Sequence, residues 1–224
     1  MADKTDIPNA VLSIRIADAL RAAILSGELS PGERIRQEEI AEQFGASRIP
    51  VREALRILVT DGIVKMVSNS GAWVSSLTQE ECSEHYQIRE RLEPLLLRYS
   101  LHNLAGETFE QMKALVAEMK LTKDMEVFMR LDRQFHWLTY SGASTNSLAG
   151  MIERLWNTTQ PYRRVFMQIV RVGGIDITHL EHELLLDAIR RDDSKEAERI
   201  LSGHIRRTRI ELDRHPEVFT HDFE

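Results

Sequence analysis

The sequence lacks the raw material of several protein classes. Among its 224 residues there is one cysteine, Cys82, which excludes an intrachain disulfide framework and a Cys-rich zinc module. No apolar run approaches the roughly 18 residues that span a bilayer, so no membrane-spanning segment is expected. The amino-terminal MADKTDIPNA carries acids and no apolar stretch. It does not read as a signal peptide, and the expected address is cytoplasmic. A large excess of one charge is also missing, since 29 Lys and Arg stand against 35 Asp and Glu. The net charge of −6 argues against a wholesale nucleic-acid coat, but leaves room for a local DNA-reading surface because a sum hides distribution. Glycine (11) and proline (6) are sparse, and the glycines up to Gly71 punctuate a first third of short elements, leaving the rest for long ones.

What is present is helical periodicity, with no internal repeat and no low-complexity tract. A first helix is expected from about Ile14 to Ser26, with Ser13 as its N-cap and Ile16, Ala17, Leu20, Ala23 and Ile24 as its apolar stripe. A second, about Gln37 to Phe44, points Ile40, Ala41 and Phe44 inward. Ser47 then caps a third, with Pro50 in its first turn and Val51, Leu55, Leu58 and Val59 on its buried face. The period then changes. Ile63–Val67 and Ala72–Ser75 read as short strands around the turn Ser68-Asn69-Ser70-Gly71. Three short helices followed by a hairpin is the order of a winged helix-turn-helix. From Thr78, which with Glu81 forms a capping-box pattern, helices are expected over about 79–104, 107–121, 124–141, 145–171, 175–192 and 194–214, with Gly106, Gly142 and Gly173-Gly174 between them. The fold class is therefore mainly α. Residues 1–77 form a winged helix-turn-helix with a small β-hairpin wing, and residues 78–224 an all-α bundle.

Two constellations carry chemistry. Arg48, Arg52 and Arg56 recur at i, i+4 and i+8, giving the third helix a basic face beside its apolar one. A recognition helix needs that pairing, because arginine forks read guanine edges and phosphates. The spacing equally describes a solvated basic face. Arg36, just ahead of the second helix, joins the candidate DNA contacts. Asp132 and His136 lie at i, i+4, while His182 and His204 sit on the last two helices. Three imidazoles and a carboxylate suit a divalent ion, with zinc first and nickel, iron or manganese as alternatives. His179, three residues before His182, is a rival ligand on geometry alone.

The residues also carry a resemblance. Ile24–Ile35, Ile40–Leu55, Asp61–Val64 and Ser70–Val74 resemble the DNA-binding domain of GntR-family bacterial transcription regulators, in unbroken order. The resemblance implies operator contacts from Ser47, Arg48, Ile49, Arg52 and the wing glycine Gly71. Position 49 departs from the family habit of threonine. Isoleucine cannot donate a hydrogen bond but can meet a thymine methyl. Asp132-x-x-Phe135-His136, Glu181-His182-x-x-Leu185, Ala197, His204-Ile205 and Arg89-x-x-Leu92-Glu93-Pro94 resemble the FCD effector domain of the FadR-type subfamily. That implies Asp132, His136, His182 and His204 as the metal ligands, leaves His179 outside, and disfavours an acyl-CoA effector.

Arg89 and Asn146 match effector-pocket positions for a small organic acid. Their alternatives are an Arg89–Glu93 pair and a helix cap. One of Arg163 and Arg164 is also a candidate for the pocket, and the sequence does not say which. The expected protein is a homodimeric, ligand-responsive regulator, a repressor in the first reading, on a palindromic double-stranded operator. The alternative is a metal-dependent hydrolase or lyase of small carboxylates, with Glu181 or Glu183 as base. Residues 1–78 hold nine Lys and Arg against ten Asp and Glu, so the near-neutral reader is expected to bind non-specific DNA weakly.

Overall fold

The computed structural model describes residues 8–68, 70–170 and 175–219. Asn69 and Gly173-Gly174 lie outside the described residues, as does most of the amino-terminal decapeptide. The chain divides into two compact units. Among the described residues, one holds those up to Leu77 with Trp156–Pro161, and the other Thr78–Leu155 with those from Tyr162 to Phe219. Among the described residues no helix is long and apolar enough to cross a membrane.

The first unit contains α1 (Asn9–Ser26), β1 (Arg34–Ile35), α2 (Gln37–Gln43), α3 (Arg48–Thr60), β2 (Val64–Val67) and β3 (Gly71–Val74). Ile16, Leu20 and Ile24 of α1 pack on Val51, Ala54, Leu55 and Leu58 of α3, closed over by Ile35, Ile63, Ala72 and Val74. Ile40 and Ala41 of α2, with Phe44 just past its end, pack against this core. An ion pair between Arg21 and Asp61, at 2.7 Å, ties α1 to the end of α3.

Four details depart from the expectations. α1 begins five residues early, after Pro8, so Ser13 is not its cap; the Ser13 hydroxyl instead donates to the Asn9 carbonyl at 2.6 Å. The exposed Val11 and Ile14 had blurred the apolar stripe there. Val59 is exposed, because one residue past Leu58 the helix has turned about 100° away from the core. Ser47 does stand at the N-cap of α3, but its side chain makes no capping bond. Finally, the wing is three-stranded in the order β1-β3-β2, with Arg34 opposite Trp73 and Val64 opposite Val74. β1 is two residues long, too short to leave a periodic signal.

The remaining described elements are all helical: α4 (Gln79–Leu101), α5 (Gly106–Leu121), α6 (Met125–Thr139), α7 (Asn146–Val170, of which Trp156–Pro161 belongs to the first unit), α8 (Ile175–Arg190) and α9 (Ser194–Asp213), then a 3₁₀ turn at Pro216–Val218. The molecule is thus mainly α with one small antiparallel sheet. Thr78 and Glu81 form the capping box at the head of α4. Asp124 caps α6 and Asp193 caps α9 through backbone amides. α4 lies along α9, α5 along α6, and α8 against both α9 and α5. Their apolar faces meet through Leu96 and Leu97, Met112 and Met119, Leu131 and Phe135, Leu185 and Ala188, and Leu201 and Ile205. The turn between α6 and α7 packs tightly on α4: the Gly142 amide donates to Ser100 Oγ at 2.9 Å, and a Cβ at Gly142 would collide with the Ser100 carbonyl.

Candidate metal centre and nucleic-acid interface

The periodicity that builds α6, α8 and α9 also turns four polar side chains into the helical unit. Asp132 and His136 share one face of α6, His182 comes from α8 and His204 from α9. All four are buried, and each offers a ligand atom within 4.8 Å of the others. The three imidazole rings approach one another with centroids 5.1 to 5.4 Å apart. Asp132 Oδ1 stands 3.4 Å from His182 Nε2 and 3.9 Å from His136 Nε2. Among the described residues, neither ring nitrogen of His182, nor Asp132 Oδ1, has a hydrogen-bond partner although all are buried. Buried polar atoms left without partners are costly, and a cation at their focus would satisfy them together. The donor set therefore fits a divalent ion.

The electrostatics suit the same task. Burial pushes His136 well below the ordinary histidine value and His182 below it, which keeps both imidazoles neutral. Burial alone would raise the Asp132 carboxyl, but the neighbouring Arg163 guanidinium, with His182 and His136, holds it well below the usual range. Arg163 donates to Asp132 Oδ2 at 2.6 Å, which turns Oδ1 toward the histidines. Glu181 meets His204 Nδ1 at 2.9 Å through Oε2, and its other oxygen pairs with Arg207. With Nδ1 held, His204 presents Nε2 to the cluster. His179 stands outside this group and sits edge-on to Phe128.

No local pattern announces the pairings of Glu181, Arg207 or Arg163. Of the adjacent arginines, Arg163 reaches the buried Asp132, whereas Arg164 pairs with Glu126 in a partly exposed contact. Arg89 is buried and paired with Glu93 at 2.6 Å, with its guanidinium 4.7 Å over the Tyr86 ring. Tyr140 donates to the other Glu93 oxygen at 2.6 Å. Asn146, the first residue of α7, is exposed, so it differs in solvent access from Arg89. The candidate bases are both engaged, Glu181 as above and Glu183 with Lys120. Burial pushes the Cys82 thiol up to about 12, which leaves it protonated and inert.

In the first unit, a groove of about 990 Å³ runs between α3, α2 and the wing. Arg36, Arg48, Ile49, Arg52 and Gly71 all line it, joined by Arg34, Met66 and Val67, which the sequence had not singled out. Ser47 is exposed at the head of α3. Arg36 pairs with Glu39 at 2.9 Å and Arg48 with Glu38 at 3.2 Å, each between exposed side chains. Arg52 carries no hydrogen bond or ion pair among the described residues. Arg56, a turn further on, is engaged by Glu53 at 2.5 Å and is not part of the lining. Gly71 opens β3 at φ 126°, a conformation that disfavours any side chain.

A winged helix-turn-helix joined to a helical unit with a buried Asp/His cluster defines a class, the ligand-sensing bacterial transcription regulator. Comparison with known proteins agrees. Residues 12–74 match the family described as bacterial regulatory proteins, gntR family, and residues 84–207 match the FCD domain. The chain belongs to the GntR family and carries an FCD domain.

Two relatives illustrate the match. The gluconate operon transcriptional repressor of Bacillus subtilis (strain 168) is 29% identical over 198 residues, covering 84% of this chain and 79% of the relative. The HTH-type transcriptional regulator McbR of Escherichia coli (strain K12) is 26% identical over 188 residues, covering 82% and 85%. The fold is shared with the solved structure described as E. coli McbR/YncC, at a TM-score of 0.80 and 24% identity over 91% of this chain and 98% of that one. The family consists of transcription regulators, not enzymes, and the hydrolase alternative falls with that finding and with the engagement of Glu181 and Glu183.

Proposed function

We propose that the protein is a repressor whose helical domain, residues 78–224, binds a divalent metal and a small organic acid, and whose first domain, residues 1–77, reads a palindromic operator as a homodimer. The observation that carries the metal assignment is the buried cluster of Asp132, His136, His182 and His204 around partnerless acceptor atoms. Zinc is the first choice because neutral imidazoles with one carboxylate match its preferences, with nickel, manganese and iron as the other ions to test. The bound ion would supply a fixed positive charge on which a carboxylate effector can complete the site. This chain's own residues orient and neutralise: Arg163 aims Asp132, and Glu181 aims His204.

Arg89 is the proposed effector contact on the protein side, where an incoming carboxylate would compete with Glu93 for the guanidinium. Asn146, being exposed, is the lesser contact. Arg36, Ser47, Arg48, Ile49, Arg52 and Gly71 form the proposed DNA-contacting set, gathered on or beside one groove. Effector binding and operator binding are then linked, each changing the other's affinity by the same factor. Such a reader works in the cytoplasm.

The test combines elemental analysis with operator titration. The purified protein should carry close to one metal per chain, and His136→Ala with His204→Ala should lose it. Metal content equal to wild type in both variants refutes the centre. Unchanged operator affinity in Arg48→Ala and Arg52→Ala refutes the DNA-reading assignment.

A further inference from the structure

The DNA groove contains a feature that charge alone does not account for. Its walls carry Arg34, Arg36, Arg48 and Arg52, as a phosphate-binding surface would, yet three large apolar side chains also open into it. Ile49 is 65% exposed, Val67 54% and Met66 38%. Among the described residues of the first unit Ile49 is the most exposed large hydrophobic, although its chain neighbours Pro50 and Val51 are buried. It lies in the first turn of α3, three residues from Arg52 and therefore on the same side of the helix. An apolar group held in water within a cationic groove gains nothing from phosphates. Bases offer one apolar group in the major groove, the 5-methyl of thymine.

We infer that Ile49 is a specificity-determining residue that reads a thymine methyl beside the base read by Arg52. This rests on the DNA-binding reading above and adds the chemistry of one position in the operator. Residues at i and i+3 share a helix face, so the thymine is placed at a base step neighbouring the guanine to which the Arg52 fork donates. A β-branched side chain is stiff at χ1, so Ile49 is held ready for the contact before DNA arrives. Arg52, with no partner to relinquish among the described residues, is ready in the same way. Burying one methyl between Ile49 and the base corresponds to about a fourfold change in affinity.

The experiment uses the full-length protein and a site enriched from random duplexes. Uracil, which lacks only the methyl, replaces thymine at each position in turn, and affinity is measured by fluorescence anisotropy at one salt concentration. Wild type should lose about fourfold per contacted methyl at one position of each half-site and nothing elsewhere. Ile49→Ala should bind the thymine operator correspondingly more weakly and be indifferent to uracil there, while Ile49→Val keeps the preference. Wild type indifferent to uracil everywhere, or Ile49→Ala with the wild-type uracil penalty, overturns the inference and leaves the regulator reading standing. Failure to enrich any sequence overturns both.

Discussion

Removing the Glu181 carboxylate should weaken metal binding although Glu181 is not itself a ligand in the proposed centre. Its side chain is only 13% exposed and its Oε2 lies 2.9 Å from His204 Nδ1. Burial raises its pKa, but His204 and Arg207 together bring it below the ordinary glutamate value, so it is charged when it accepts from the ring. A hydrogen bond to a charged group contributes about 1.5–3 kcal/mol. Losing an outer partner of a metal-bound histidine costs roughly 10- to 100-fold in affinity, or about 1.4–2.7 kcal/mol. Two independent routes thus reach the same range for Glu181→Ala. Glu181→Gln keeps an acceptor without the charge and should lose only a few fold. Arg207→Ala, which frees the carboxylate without removing it, should cost less than Glu181→Ala. Zinc titration in competition with a chromophoric chelator reads all three, with circular dichroism to establish that α8 and α9 persist. Glu181→Ala within twofold of wild type would refute the argument that this carboxylate fixes the His204 ring.

Other outcomes follow from geometry already described. Arg52→Ala should lower operator affinity about 10- to 100-fold, and Glu38→Gln, which releases Arg48 from its 3.2 Å pair, should raise it, both read by anisotropy at fixed salt. Because burial depresses His136 well below its ordinary 6.5, the native metal-free protein resists a proton that the unfolded chain accepts. Its stability is therefore unaffected by this group above pH 6.5 and falls as pH drops below it, measurable as a shift in urea midpoint. Loading with zinc should raise stability but keep that decline and steepen it, since a ligated imidazole also refuses the proton that the unfolded chain accepts. Gly142→Ala should lower the urea midpoint by an amount equivalent to about 1–3 kcal/mol, because its Cβ meets the Ser100 carbonyl and the turn must shift.

The helical half was readable because long amphipathic segments separated by glycine or a capping acid leave a repeated signal. The capping box at Thr78 and Glu81 marked the start of α4 directly. β1 was not readable, since its two residues become a strand only by pairing with Trp73 and Ala72 far along the chain. The start of α1 was misplaced for a related reason: Val11 and Ile14 point outward and break the stripe.

The candidate site divides in the same manner. Asp132 and His136 are visible as an i, i+4 pair, but nothing in spacing chose His182 over His179; only burial and convergence of the four side chains separates them, along with the family resemblance. Partners such as Glu181 for His204 lie 23 residues away on another helix, and no local pattern announces them. Arg163 and Arg164 are adjacent, and the helical turn between them sends one to Asp132 and the other to Glu126.

The four-residue cluster also bears on time. Its members are spread from position 132 to position 204, on α6, α8 and α9, and no ligand set exists until those helices have found one another. An ion that needs the finished bundle cannot speed its assembly, but it must leave, or be dragged out, before the bundle opens. The signature of such a staple is kinetic. Metal should leave the folding rate unchanged and slow unfolding, so that a regulator molecule once loaded outlives an unloaded one under proteolysis even where their sensing of small molecules is identical.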